Sequence, residues 1–153
     1  MPALQPSLKG RALRYLAARE HSRTELERKL SSHESEPGEL ARVLDELAAK
    51  GFINEARVVE SVIHRRAGRL GTGRVVQELR GKGIGAEALA EAEESLRATE
   101  FERAYDVWRK KFGATAGNLL EPAERARQMR FLAARGFSAE VVRRVMRSDL
   151  DDL

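Results

Sequence analysis

The chain has 153 residues, 42% apolar and 34% charged, with a net charge of +4 from 28 Lys and Arg against 24 Asp and Glu. It has no cysteine, which excludes disulfides, thiolate metal ligands and cysteine nucleophiles. No run of about 18 apolar residues and no leader with a small-residue cleavage site is present, so neither a membrane span nor a signal peptide is read, and the cytoplasm is the expected compartment.

Ala, Leu, Glu and Arg dominate, all strong helix formers, and an all-α fold is expected. A first helix from Leu8 to Arg19 carries Leu8, Ala12, Leu13, Leu16 and Ala17 on one stripe. Ser22-Arg23-Thr24-Glu25 is a capping box, opening a second helix to Ser32 with Leu26 and Leu30 inward. Pro37 suits the first turn of a third helix with Leu40, Val43, Leu44 and Leu47, closed by Lys50-Gly51. Asn54 caps a fourth helix to Arg69, with Val58, Val59, Val62 and Ile63 inward. After Gly71-Thr72-Gly73 a fifth helix buries Val75, Val76 and Leu79 and ends at Lys82-Gly83; a sixth covers Ala86 to Leu96.

Thr99-Glu100-Phe101-Glu102 has the capping-box pattern again and opens a seventh helix bearing Phe101, Tyr105, Trp108 and Phe112. Gly113 to Leu120 reads as a loop. Glu121-Pro122 starts an eighth helix with Ala126, Met129 and Leu132, ending at Arg135-Gly136. Ser138 caps a ninth with Val141, Val142, Val145 and Met146 on one side and Arg143, Arg144 and Arg147 on the other; the tail from Asp149 is expected to fray.

A repeat underlies this order. Leu26, Leu79 and Leu132 stand 53 residues apart, each followed three residues on by a base (Lys29, Lys82, Arg135). In the last two copies Gly83-Ile84 and Gly136-Phe137 follow; the first has Leu30 in the glycine's place. Leu47 to Phe52 repeats the cadence between other helices, which points to a common way of ending a helix. The simplest parse is three tandem three-helix repeats, 8–50, 52–97 and 99–149. Units this small share a core by stacking, which implies an elongated, curved helical solenoid that binds with an extended face.

Chemical motifs are sparse. Gly81-Lys82-Gly83-Ile84-Gly85-Ala86 matches a dinucleotide fingerprint, but a helix precedes it where a strand is required. His21, His33 and His64 lack ligand spacing, and surface or cap positions are expected for them. No nucleophile elbow or P-loop occurs, and the carboxylates mostly sit three or four residues from a base, as helix-stabilising pairs do. No catalytic residue, metal or cofactor is therefore expected. The four-three-four spacing of Phe101, Tyr105, Trp108 and Phe112 favours core packing over a base-stacking platform, with Trp108 partly exposed beside a basic patch of Arg109, Lys110 and Lys111. From Arg57 to Lys82 seven basic residues face only Glu60 and Glu78, an excess suited to nucleic acid or an acidic protein surface, or else a solvated arginine-rich face.

Gly51-Phe52-Ile53-Asn54-Glu55-x-Arg57, Arg66, and Gly71-x-Gly73-Arg74-x-x-x-Glu78-Leu79-x-x-Lys82-Gly83-Ile84 resemble the signature of RecX proteins, bacterial regulators of the RecA recombinase. The stretch from Leu13 to Leu30 and the segment Arg130 to Ser138 are similar to that family's flanks. Asn54 stands where the family usually has an acidic residue, and Val58 and Val62 where it favours aromatics. The resemblance implies three tandem three-helix units and a modulator rather than an enzyme. It implies binding in the groove of the RecA–single-stranded-DNA filament, with inhibition of strand exchange, ATP hydrolysis and co-protease function. It also implies weak direct DNA binding in some members. The basic side of the middle unit (Arg57, Arg65, Arg69, Arg74 and Lys82) is the expected contact surface, with Arg143, Arg144 and Arg147 added, on a monomer. Three other readings stand beside it: a stand-alone helix-turn-helix DNA-binding regulator, based on the cadence from Leu26 to Val59; an enzyme of unknown type; and a structural helical adaptor.

Overall fold

The computed structural model describes residues 5–113 and 120–151. Among them lie nine α-helices and no strand: α1 (Leu8–Ala18), α2 (Arg23–Leu30), α3 (Glu39–Ala49), α4 (Glu55–Arg66), α5 (Thr72–Gly81), α6 (Ala86–Ala98), α7 (Glu100–Phe112), α8 (Pro122–Ala134) and α9 (Ala139–Asp151), with a 3-10 turn at Ser31–His33. The fold is an all-α helical repeat.

Local chemistry sets most helix ends. Ser22 and Glu25 form the capping box reciprocally, each side chain accepting the other's N–H at 3.1 Å. Asn54 Oδ1 accepts from Arg57 N at 3.0 Å, and Ser138 Oγ from Val141 N at 3.2 Å. Three expectations are corrected. Pro37 lies in the turn before α3, whose N-cap is Gly38. The Thr99 pattern makes no capping bond; the Thr99 hydroxyl instead donates to Leu96 O and accepts from Arg103 Nε. α9 keeps helical backbone to Asp151, past the Asp149 at which fraying is expected, while residues 152–153 lie outside the described residues. Most of the expected 113–120 loop, residues 114–119, lies outside them too.

The helices pack in triplets, each around its own core. Leu8, Ala12, Leu26, Leu30, Leu40, Leu44 and Leu47 form the first, and Val58, Val62, Val75, Val76, Leu79, Ile84, Ala92 and Leu96 the second. The third holds Ala104, Trp108, Phe112, Leu132, Phe137, Val142, Val145 and Met146. The closest helix packing lies within triplets, joined between them chiefly by α6 against α7. The accessible surface of 9623 Å² exceeds the ~7,800 Å² expected of a compact monomer of this mass. Val59 and Ile63 pack against the second core as expected but are only partly buried, and they also line an outer face of α4.

Two polar side chains lie deeper than their sequence context suggests. Trp108 is fully buried rather than partly exposed, its indole N–H donating to buried Gln128 Oε1 at 2.8 Å. His21 is buried as well, against the surface or cap position expected. Its Nδ1 lies 3.0 Å from Arg19 O and its Nε2 3.0 Å from Lys29 Nζ, so the neutral ring donates to the carbonyl and accepts from the ammonium. Burial pulls its pKa below the ordinary histidine value, and the Arg19 and Lys29 charges pull the same way. Tyr15 completes this small polar cluster: its ring lies tilted against His21, centroids 5.5 Å apart, and takes the Lys29 ammonium at 4.6 Å.

The repeat is real but its register shifts in the first unit. Leu79 and Leu132 occupy equal places, and the turns after them close alike: Ile84 N bonds Leu79 O and Phe137 N bonds Leu132 O, both at 3.3 Å. In α2 the N-cap Ser22 precedes Leu30 by eight residues, as Gly71 precedes Leu79, so Leu30 rather than Leu26 is the counterpart. The even 53-residue spacing conceals a one-turn difference between α2 and α5. Phe52 N to Leu47 O at 2.9 Å shows that the Leu47 to Phe52 likeness is the same cap on a different helix.

Candidate functional site

The surface is built at the junctions between triplets. At both, the N-terminal turn of one second helix sits on the C-terminal turn of the next. Ser22 Oγ donates to Lys82 O at 2.6 Å and Arg28 to Gly81 O at 2.7 Å, placing α2 on α5. Gly71 N donates to Arg135 O at 2.8 Å and Arg74 to Ala134 O at 2.8 Å, placing α5 on α8. These acceptors are last-turn carbonyls with no helical partner, and the approaching end is the positive pole of its helix. Gly83 and Gly136, at φ +74 and +92, turn the chain there, and a Cβ on either would overlap Thr24 or Arg74.

Carboxylates and cations lock each junction. Glu25 salt-bridges Arg19 at 2.6 Å and Lys82 at 3.1 Å. Burial alone would raise its pKa, but Arg19, the Ser22 N–H and Lys82 outweigh it and hold the carboxyl at about 2. Arg57 bridges Glu20 at 2.9 Å and donates to Gly51 O. At the second junction Gly71 has no side chain to cap α5, and the buried Glu100 of α7 does so instead, accepting from Thr72 N at 2.9 Å. One turn on, Arg103 donates to Ala67 O (2.9 Å), Leu70 O (2.6 Å), Leu96 O (2.8 Å) and Thr72 Oγ1 (3.2 Å). Burial lowers its pKa while Glu100 raises it, and a guanidinium stays charged throughout.

The expected contact residues therefore divide. Arg57, Arg74 and Lys82 are spent on junction bonds. Arg65 is exposed near the end of α4, which stops at Arg66 rather than at the expected Arg69, and Arg69 is exposed in the turn that follows; neither has a carboxylate partner among the described residues. Arg69 reaches a groove of about 410 Å³ between the second and third triplets, lined also by Gly68, Val107, Lys110, Lys111, Phe131 and Arg135. The Lys111 ammonium and the Arg135 guanidinium lie 5.0 and 4.9 Å from the Phe131 ring, which holds both in place. No carboxylate lines the groove; Asp106 pairs Lys110 from outside it at 2.9 Å. Four cations, from the turn after α4, from α7 and from the end of α8, thus converge on a wall suited to an anionic surface. Arg143, Arg144 and Arg147 are exposed on α9 and do not line this groove, and Arg144 stacks on Phe101 at 3.9 Å.

Sequence reasoning sets Lys110 and Lys111 apart as a second patch and treats Arg135 as a repeat marker. Joining them to Arg69 needs the stacking of two triplets. Glu100 and Arg103 carry no such signal, because a capping-box pattern explains the first and an ordinary helix surface the second. Among the described residues no group of three His, Asp or Glu is placed to hold a metal, and no helix is long and apolar enough to cross a membrane.

Fold and surface together define a tandem array of three-helix units with a basic groove at one junction. Residues 9–47 match the family model for the first three-helix domain of RecX, and residues 98–146 the model for its third. The regulatory protein RecX of Leptothrix cholodnii is 55% identical over 143 residues, covering 94% of this chain and 89% of the relative. That of Ralstonia nicotianae is 46% identical over 146 residues, covering 95% and 90%. The crystal structure of RecX from Lactobacillus salivarius superposes with a TM-score of 0.75 at 20% identity, over 95% of this chain and 96% of that one. A second crystal structure of a regulatory protein RecX gives 0.72 at 22% identity, over 91% and 71%. The chain belongs to the RecX family.

Proposed function

We propose that this chain is a cytoplasmic, monomeric regulator that binds the RecA–single-stranded-DNA filament along its groove and inhibits strand exchange, ATP hydrolysis and the co-protease activity. Family membership supports the partner. The observation that carries the mode of contact is the carboxylate-free groove of Arg69, Lys110, Lys111 and Arg135. A serial array touches several protomers of a filament at once, so individually weak contacts multiply. Open, salt-screened cations give free DNA only weak, sequence-independent binding.

The helix-turn-helix reading has less support. α3, its reading helix, opens beside Glu34, Glu36 and Glu39, and carboxylates at that end oppose phosphates. The test is ATP hydrolysis by the cognate recombinase on single-stranded DNA with this protein at sub-stoichiometric ratios. A steep fall in rate is expected. No fall, together with duplex binding that prefers one sequence on the order of 10³-fold, would reject the proposal.

A further inference from the structure

The middle triplet leaves a groove open between its outer helices, and the flanking triplets show what is missing. In the first triplet Lys9 of α1 bridges to Glu46 of α3 at 2.8 Å. In the third, Arg144 of α9 lies over Phe101 of α7, which leans on Tyr105. Each flanking unit thus spans its outer helices with a cation of its own. In the middle unit no cation crosses between α4 and α6 among the described residues. A trough of about 350 Å³ remains, floored by Ala56, Val59, Ile63, Ala88 and Ala92 and rimmed by Glu55, Glu60 and Glu91. Glu55 is used, accepting from Gly85 N at 3.0 Å. Glu60 and Glu91 are exposed and unpaired among the described residues, like charges on the same apolar trough of a chain whose net charge is positive.

We propose that the α4–α6 trough is a docking site for an amphipathic helix of a partner protein, with a narrow apolar stripe flanked by Lys or Arg. The three alanines let a helix approach closely, and the apolar floor supplies the burial. Glu60 and Glu91 receive the flanking cations, the place that an internal cation takes in the neighbouring units. A second copy of this chain is a poor occupant. Its exposed large apolar side chains among the described residues are Tyr15 and Phe52, on separate elements, and they form no stripe. This surface is separate from the basic groove, and the proposal does not depend on it.

The test uses the full-length chain and a synthetic helical peptide about four turns long, with Leu and Ala at i, i+3, i+4 and i+7 flanked by Lys. Backbone amide shifts are followed during titration. Saturable shifts confined to α4 and α6 are expected, lost when the peptide's Lys are replaced by Glu. Affinity should fall at least about tenfold for Glu60→Lys with Glu91→Lys, and Ala88→Trp should plug the floor. Helicity and melting temperature confirm that both variants fold. Shifts mapping to the cleft around Leu13 and Phe52, equal binding of the Glu-flanked peptide, or no saturation would overturn the proposal. So would self-association of the chain that the Glu60→Lys, Glu91→Lys variant abolishes, since the occupant would then be a second copy.

Discussion

Gly71→Ala is expected to destabilise the protein by about 2–4 kcal/mol, because no side chain fits where α5 meets α8. A Cβ on Gly71 would overlap the backbone of Gly136 and Phe137, and backbone cannot swing away as the end of a side chain does. The junction must open, breaking the bonds from Gly71 N to Arg135 O and from Arg74 to Ala134 O. Gly81→Ala is the matched control: the site is helical, and a Cβ there meets nothing within 4 Å. It should be neutral or stabilising by up to ~1 kcal/mol through helix propensity. Urea unfolding of both variants checks the pair. Equal stabilities would mean that the second and third triplets do not stack as described.

Arg103→Met should cost about 3 kcal/mol or more in the same measurement. The guanidinium meets the carbonyls of Ala67 and Leu70 after α4 and the Thr72 hydroxyl at the start of α5, and it shares Leu96 O near the end of α6 with Thr99. Methionine fills similar volume but leaves several partly buried acceptors unpaired, at about 1–3 kcal/mol each when they stay dry. Arg97→Ala, which removes an exposed pair with Glu93 one turn away, should cost under ~0.5 kcal/mol. A loss at Arg103 no larger than at Arg97 would show that water replaces the guanidinium and that the clamp is not structural.

The helices, their apolar stripes and most caps are legible in the sequence, because they depend on neighbours a few residues apart. So is the repeat, through the turns at Gly83 and Gly136 that end two equivalent helices. Its register is legible only from the last two units, since the Ser22 cap sits one turn nearer to Leu26 than Gly71 does to Leu79. The motif that carries the family resemblance is largely structural. Arg57, Lys82 and Gly83 join the first two triplets, and Gly71 and Arg74 the last two. Arg66 pairs with Glu78 at 3.1 Å to tie α4 to α5. Such residues mark the fold, so reading the contact surface from them favours cations already committed to neighbours. The free cations, Arg65, Arg69 and Lys111, meet no sequence-local constraint. The convergence of Arg69 with Lys110, Lys111 and Arg135, like the capping of α5 by Glu100, comes from packing between units.

Arg65, Arg69 and Lys111 are the exposed cations proposed to contact the filament. The most direct test of that contact is Arg65→Glu, Arg69→Glu and Lys111→Glu combined, titrated against recombinase ATP hydrolysis on single-stranded DNA beside the unaltered chain. Helicity and melting temperature should be unchanged, since none of the three side chains makes a junction bond. Inhibition should weaken by at least about tenfold, as loss of several exposed charge contacts implies. Full inhibition by the reversed chain, with the fold intact, would contradict the account and place the contact elsewhere on the array.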